Sequence, residues 1–204
     1  MRKQGLWLCG VLVGLAIRQA LVQFTPQIVA PGFAFDRAAW LEISRLALFL
    51  LMVIRFYLGA VAVFRRPLNL SPRRIDGIDL LSAVAHLLLF FAWAETIHVD
   101  INNRWLVETV SPYMFFLGCI LIYDLFWWLV TRDYEHLDKQ MLWMTVNLTT
   151  LGGCALIQLG FRAFKGDAVF AEELCFVVVA FFSIVDLAEL VTGKEIFRRF
   201  FHSL

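Results

Sequence analysis

Charge is what this chain has least of. Asp, Glu, Lys and Arg make up 17% of its 204 residues, where a soluble domain carries about 25%. No segment between the apolar runs is long enough for a second, soluble domain, so any chemistry lies within those runs, at their ends, or in short loops. Histidine is scarce too: His86, His98, His136 and His202. A membrane haem needs two axial ligands on facing helices, and only His86 lies deep in an apolar segment, which excludes a b-type cytochrome. There is no HExxH or HxxxH box for zinc or di-iron, and no GxSxG or Walker sequence, so the commonest hydrolase and nucleotide-binding chemistries have no carrier. The sequence therefore calls for no cofactor, no metal and no catalytic constellation. Asp133, Glu135, His136 and Asp138 read as a solvated loop. Cysteine occurs four times, at Cys9, Cys119, Cys154 and Cys175, never as CxxC and always in apolar surroundings. These read as small buried side chains, with no disulfide or metal site. The basic run RRPLNLSPRR is explained by topology and lipid headgroups, so no nucleic-acid partner is expected.

What the chain does have is apolar length. Hydrophobic residues make up 61% and the mean hydropathy is +0.75. Segments near twenty residues long recur throughout, the mark of helices that cross a bilayer. The expected fold is all-α: a polytopic integral membrane protein with six transmembrane helices and both termini cytoplasmic. The spans are expected over 5–24, 38–64, 78–98, 112–133, 141–161 and 169–191. The N-terminal run lacks a small-x-small cleavage site and reads as a retained first span. Pro26, Pro31 and Gly32 place a loop over 25–37. A six-helix domain then covers 1–193. The tail 194–204, KEIFRRFFHSL, reads as a cytoplasmic amphipathic segment.

Orientation follows from basic residues, which concentrate on the cytoplasmic side. Eleven (Arg2, Lys3, Arg65, Arg66, Arg73, Arg74, Arg132, Lys139, Lys194, Arg198 and Arg199) fall at one set of span ends. Four (Arg37, Arg104, Arg162 and Lys165) fall at the other. Trp7, Trp127, Trp128 and Trp143 near inner ends, and Trp40, Trp93 and Trp105 near outer ends, read as interfacial belts. Gly10 and Gly14 form a GxxxG suited to close helix packing.

Against this apolar background, the internal polar residues stand out. A charge at the centre of a span costs about 2.5–3.5 kcal/mol. Asp124, Asp186 and Asn147 each lie eight positions from the basic residue marking an inner end, and Arg55 lies ten. At a helical rise of about 1.5 Å per residue these depths are roughly 12 to 15 Å. His86, twelve positions from Arg74, lies somewhat deeper. Arg55 is therefore expected to face inward and pair with Asp124, Asp186 or both, with Asn147 and Tyr57 completing the hydrogen bonds. This layer is either a clasp or part of an ion or proton pathway. Asn147, Thr150, Cys154 and Gln158 recur at spacings of three and four and read as a polar, pore-lining face of span five. Arg18, Glu42, Arg45, Glu95, Gln158, Glu172 and Glu173 form a looser outer set, an outer vestibule or charges that snorkel to the interface. Glu42 and Arg45, one turn apart, can pair.

The function these features favour is a small channel, pore-forming subunit or membrane effector in a bacterial-type inner membrane. It is expected to be homo-oligomeric and to rest in the lipid bilayer. A cytoplasmic protein partner would dock on the basic loop 65–74 (Arg65, Arg66, Arg73, Arg74) or on the loop 132–139 (Arg132, Lys139). The alternatives are a proton- or ion-coupled carrier using Arg55, Asp124 and Asp186, and a scaffold or sensor subunit that transports nothing.

Overall fold

The structure is a computed structural model and describes residues 2–28, 36–64, 72–97, 110–130 and 137–192. The six helices among these residues are α1 (Arg2–Ile28), α2 (Arg37–Phe64), α3 (Pro72–Ala94), α4 (Pro112–Val130), α5 (Leu137–Ala163) and α6 (Ala168–Thr192). The expected tail 194–204, most of both expected docking loops, and the side chains of Trp105, Trp127, Trp128 and Trp143 lie outside the described residues.

Local chemistry sets the helix ends. Asp36 caps α2, its Oδ1 accepting from the backbone N–H of Ala39 at 2.9 Å. Ser111 caps α4 by accepting from Met114 N–H at 3.3 Å, with Pro112 in the first helical position, where its missing N–H has no partner to lose. Asp167 caps α6 through Val169 N–H at 2.9 Å. The turn between α5 and α6 is a Schellman motif. Gly166 N–H donates to Phe161 C=O at 2.7 Å and Lys165 N–H to Arg162 C=O at 3.2 Å. Lys165 takes the left-handed conformation (φ 51°). A Cβ on Gly166 would lie 2.6 Å from the Phe161 ring, so the close approach requires glycine.

Several boundaries differ from the sequence expectation, two of them at prolines. Helix α1 continues through Pro26 to Ile28. Proline's fixed φ suits a helix, and in the last turn it removes only one hydrogen bond. Helix α3 starts at Pro72 rather than at 78, because proline is well placed in a first turn; Arg73 and Arg74 are thus helical.

Three helices hold stretches long and apolar enough to cross a membrane: Trp7–Phe24, Met144–Ala163 and Ala168–Glu189. Val84–Ala94 and Pro112–Phe126 are shorter apolar stretches. Helix α2 carries Arg37, Glu42, Arg45 and Arg55 along its length. These are the marks of a membrane protein, and the outer surface agrees. Leu156 is 73% exposed and Val177 65%, with Leu88, Ile122, Phe126, Phe181 and Ile184 also turned outward.

The helices close into a ring. Its order is α1, α2, α6, α5, α4, α3 and back to α1, with α2 also touching α3. The ring interior is filled by Leu48, Phe49, Met52, Phe90, Trp93, Leu117, Ile120, Leu121, Phe176 and Val179. Trp93 is a correction. Instead of sitting in an outer aromatic belt it is wholly buried, packed on Phe49 and Tyr113 with ring centroids 5.3 and 4.9 Å away. His86, Phe90, Trp93 and Ile97 share one buried face of α3 and its terminal turn, and rotation about the helix axis, not distance from its end, decides where Trp93 points. The GxxxG divides in the same way: a Cβ on Gly10 would meet Tyr57 at 4.0 Å, while Gly14 has no neighbour that close.

Candidate functional site: a charged network through five helices

The interior holds two charged layers. They are ten residues apart on α2, about 15 Å along the helix, with the aromatic and aliphatic core between them.

The outer layer centres on Arg45, whose guanidinium is buried to 1% exposure. Its Nε donates to Glu172 Oε1 at 2.9 Å, and Nη1 donates to the carbonyl of Ile97 at 3.3 Å. Its own backbone carbonyl accepts from the Tyr113 hydroxyl at 2.6 Å, and the guanidinium carbon lies 5.4 Å from the Tyr113 ring centroid. A cation meets an anion here, with a carbonyl and an aromatic face beside it. Arg45 and Glu172 thus lie deep in the bundle rather than lining an open mouth. The other residues of the outer set are at the periphery. Arg18 is exposed on α1 and Glu42 is half-buried on α2. Glu95 is exposed at the end of α3 and accepts from Gln19 at 2.5 Å and Gln23 at 2.6 Å. Arg37 bridges Asp167 at 2.8 Å and Glu173 at 3.5 Å. That bridge holds the Asp167 carboxyl below its ordinary value, chiefly through the Arg37 hydrogen bond.

The inner layer is larger. Arg55 Nε donates to Asp186 Oδ2, linking α2 to α6. Arg55 Nη2 donates to Asn147 Oδ1 at 2.8 Å, linking α2 to α5. Asn147 Nδ2 donates to Asp124 Oδ2 at 3.1 Å, linking α5 to α4. Asp124 Oδ1 lies 2.7 Å from His86 Nε2 on α3, close but out of line for an N–H···O hydrogen bond. The run Asp186–Arg55–Asn147–Asp124–His86 therefore passes through five of the six helices. Arg55, His86, Asp124 and Asn147 are buried and Asp186 is partly exposed. The amide of Asn147 is the hinge of the set, accepting from the cation with its oxygen and donating to the carboxylate with its nitrogen.

The expected pore-lining face of α5 is taken up inside the bundle. Asn147 belongs to the network. Thr150 donates to the carbonyl of Val146 at 2.7 Å. Cys154 and Cys175 make reciprocal contacts, each Sγ to the other's carbonyl, at 3.9 and 3.7 Å. Gln158 Nε2 lies 3.8 Å from Cys175 Sγ. The four cysteines are free thiols, with Cys9, Cys154 and Cys175 buried and Cys119 half-buried. Among the described residues no three His, Cys, Asp or Glu converge as metal ligands.

Sequence reasoning missed the partnership of Arg45 with Glu172 and the roles of Tyr113, Gln19 and Gln23. A signal existed for the first. Leu41, Arg45, Leu48 and Met52 form one buried stripe of α2, and Glu172, Cys175, Phe176, Val179 and Ser183 form one of α6. A charge inside an apolar stripe needs a partner inside the bundle. No family model, curated protein or solved structure matches this chain.

Proposed function

We propose that this chain is a six-span integral membrane protein, with both termini on the cytoplasmic side of a bacterial-type inner membrane, that couples its activity to protons through the inner network. The observation that carries this reading is the run of ionisable side chains from Asp186 to His86. A clasp that only fixes helix register needs one cation and one anion, and Arg45 with Glu172 is such a clasp. The inner layer adds a second carboxylate and an imidazole. Ionisable groups at membrane depth mark ion and proton pathways by default, and surplus beyond simple pairing is what a pathway requires. The excess of basic residues at one set of helix ends supports the orientation. The pore reading has less support, since the polar side chains of α5 on which it stood are engaged by neighbours within one chain.

The test is proton movement in liposomes holding the purified full chain and a trapped pH-sensitive dye, under an imposed pH gradient or membrane potential. Wild type is expected to move protons, and Asp124→Asn and Asp186→Asn to fall to the rate of empty liposomes. Wild-type flux at the empty-liposome rate, under gradient and potential alike, sinks the proposal. Unselective, non-saturating ion conductance favours the pore instead.

A further inference from the structure

His86 sits at the end of the network, held between a carboxylate and aromatic rings. Its Nε2 faces Asp124. Its Nδ1 is buried and makes no hydrogen bond among the described residues. Aromatic rings box it in: Phe56 with centroids 4.4 Å apart, Tyr123 at 5.1 Å edge-on and Phe90 at 5.6 Å stacked. A buried nitrogen left without a partner is destabilising, a cost that an apolar residue in the same place would avoid. Ring faces of Phe and Tyr also favour a cation over a neutral group.

Among the described residues, the charges that face the ring through the network can be named. Helix α4 presents Asp124 and Tyr123, and beyond Asn147 of α5 lie Arg55 of α2 and Asp186 of α6. Among the described residues, the fully buried side chains of α1, which packs on α3, are Cys9 and apolar ones, and its Gln19 and Gln23 reach Glu95 at the far end of α3. With a neutral imidazole, the two carboxylates and one guanidinium leave one negative charge uncompensated. One proton on the His86–Asp124 pair cancels it. The outer clasp is already neutral and contributes nothing to this balance.

We infer that the His86–Asp124 pair is the seat of one exchangeable proton, taken up and released on the Nδ1 side of the ring. The inference rests on the proton-coupled reading above and deepens it by naming the carrier. Loading is a single protonation: hydronium gives its proton to an imidazole lone pair, an N–H bond forms, and water leaves. Asp124 Oδ1 lies 2.7 Å from the ring's Nε2, so the proton belongs to the pair. Unloading reverses each step. With the proton present, Asp124 is held by the imidazolium. With it absent, Asp124 competes with Asp186 for the one guanidinium, through Asn147, and the change reaches α2, α5 and α6.

Imidazole ¹⁵N–¹H correlation spectra of the full chain in lipid nanodiscs test this, with the His86 signals assigned by their loss in His86→Asn. The wild-type His86 ring is expected to be doubly protonated and the Asp124→Asn ring singly protonated at a common pH between about 5 and 8. A ring singly protonated in both throughout that range overturns the inference. The flux assay separates this from the broader reading. Proton flux in His86→Asn equal to wild type overturns the His86 assignment and leaves proton coupling standing. A doubly protonated wild-type ring that Asp124→Asn converts, in a protein with no flux, supports the pair and removes transport.

Discussion

The two arginines of α2 answer the same problem in different ways. Arg45 has a single carboxylate, a carbonyl and an aromatic face. Arg55 shares its donors between Asp186 and an amide that leads on to another carboxylate and a histidine. The first arrangement sets one cation against one carboxylate. The second is open at one end, where His86 has a free ring nitrogen. Burial alone therefore does not distinguish a structural ion pair from a functional one in this bundle. In the reading proposed above, the surplus of titratable groups is what separates them.

The largest effect that separates the layers is expected at the outer one. Arg45→Met should cost about 3–5 kcal/mol by stranding Glu172, and Arg45→Met with Glu172→Leu should recover most of it. Thermal or steric-trap unfolding in detergent measures both; a double variant no better than the single would show that the outer pair is more than a self-contained clasp. Next is Asn147→Ala, which leaves Arg55 and Asp124 each without one hydrogen bond. A loss of about 2–4 kcal/mol is expected, together with uncoupling of Asp124 from Arg55, so that Asp124→Asn added to it costs less than in wild type. Additive costs in this double-mutant cycle would mean the inner layer is not one network. Tyr113→Phe should remove the hydroxyl bond to the Arg45 carbonyl while keeping the ring, lowering stability by about 1 kcal/mol and leaving proton flux unchanged. Reduced flux would join the layers.

The smallest effect is at the surface. The Asp167 carboxyl is held below its ordinary value in the folded chain. Its contribution is therefore complete at neutral pH and is lost only as pH falls through that lowered value. Asp167→Asn should narrow the stability difference between neutral and strongly acidic pH slightly, less than any change above, because both partners are solvated. An unfolding midpoint measured across that range checks it.

The common depth of Arg55, Asn147, Asp124 and Asp186 was legible in the sequence. Basic residues mark one end of each helix and the rise per residue is fixed. What counting along the chain cannot supply is rotation and lateral order. It could not show that Asn147 stands between Arg55 and Asp124, since that depends on α5 lying next to α4 in the ring. Counting from Arg74, in the first turn of α3, set His86 deeper than Asp124, whereas the two side chains meet at 2.7 Å. Arg45 had an acidic neighbour one turn away in Glu42, and that local pairing hid a partner 127 residues along the chain. Trp93 was judged by its distance from a helix end, when the face it shares with His86, Phe90 and Ile97 decides its place.

Both arginines of α2 find their carboxylates on α6, across 127 and 131 residues of sequence. During synthesis α2 therefore exists for on the order of ten seconds before Glu172 and Asp186 are made, at ordinary elongation rates. The ring cannot close around it until α6 emerges. A chain stopped after α5 lacks both of those carboxylates, the kind of defect by which a cell's quality control can recognise a bundle that has not closed.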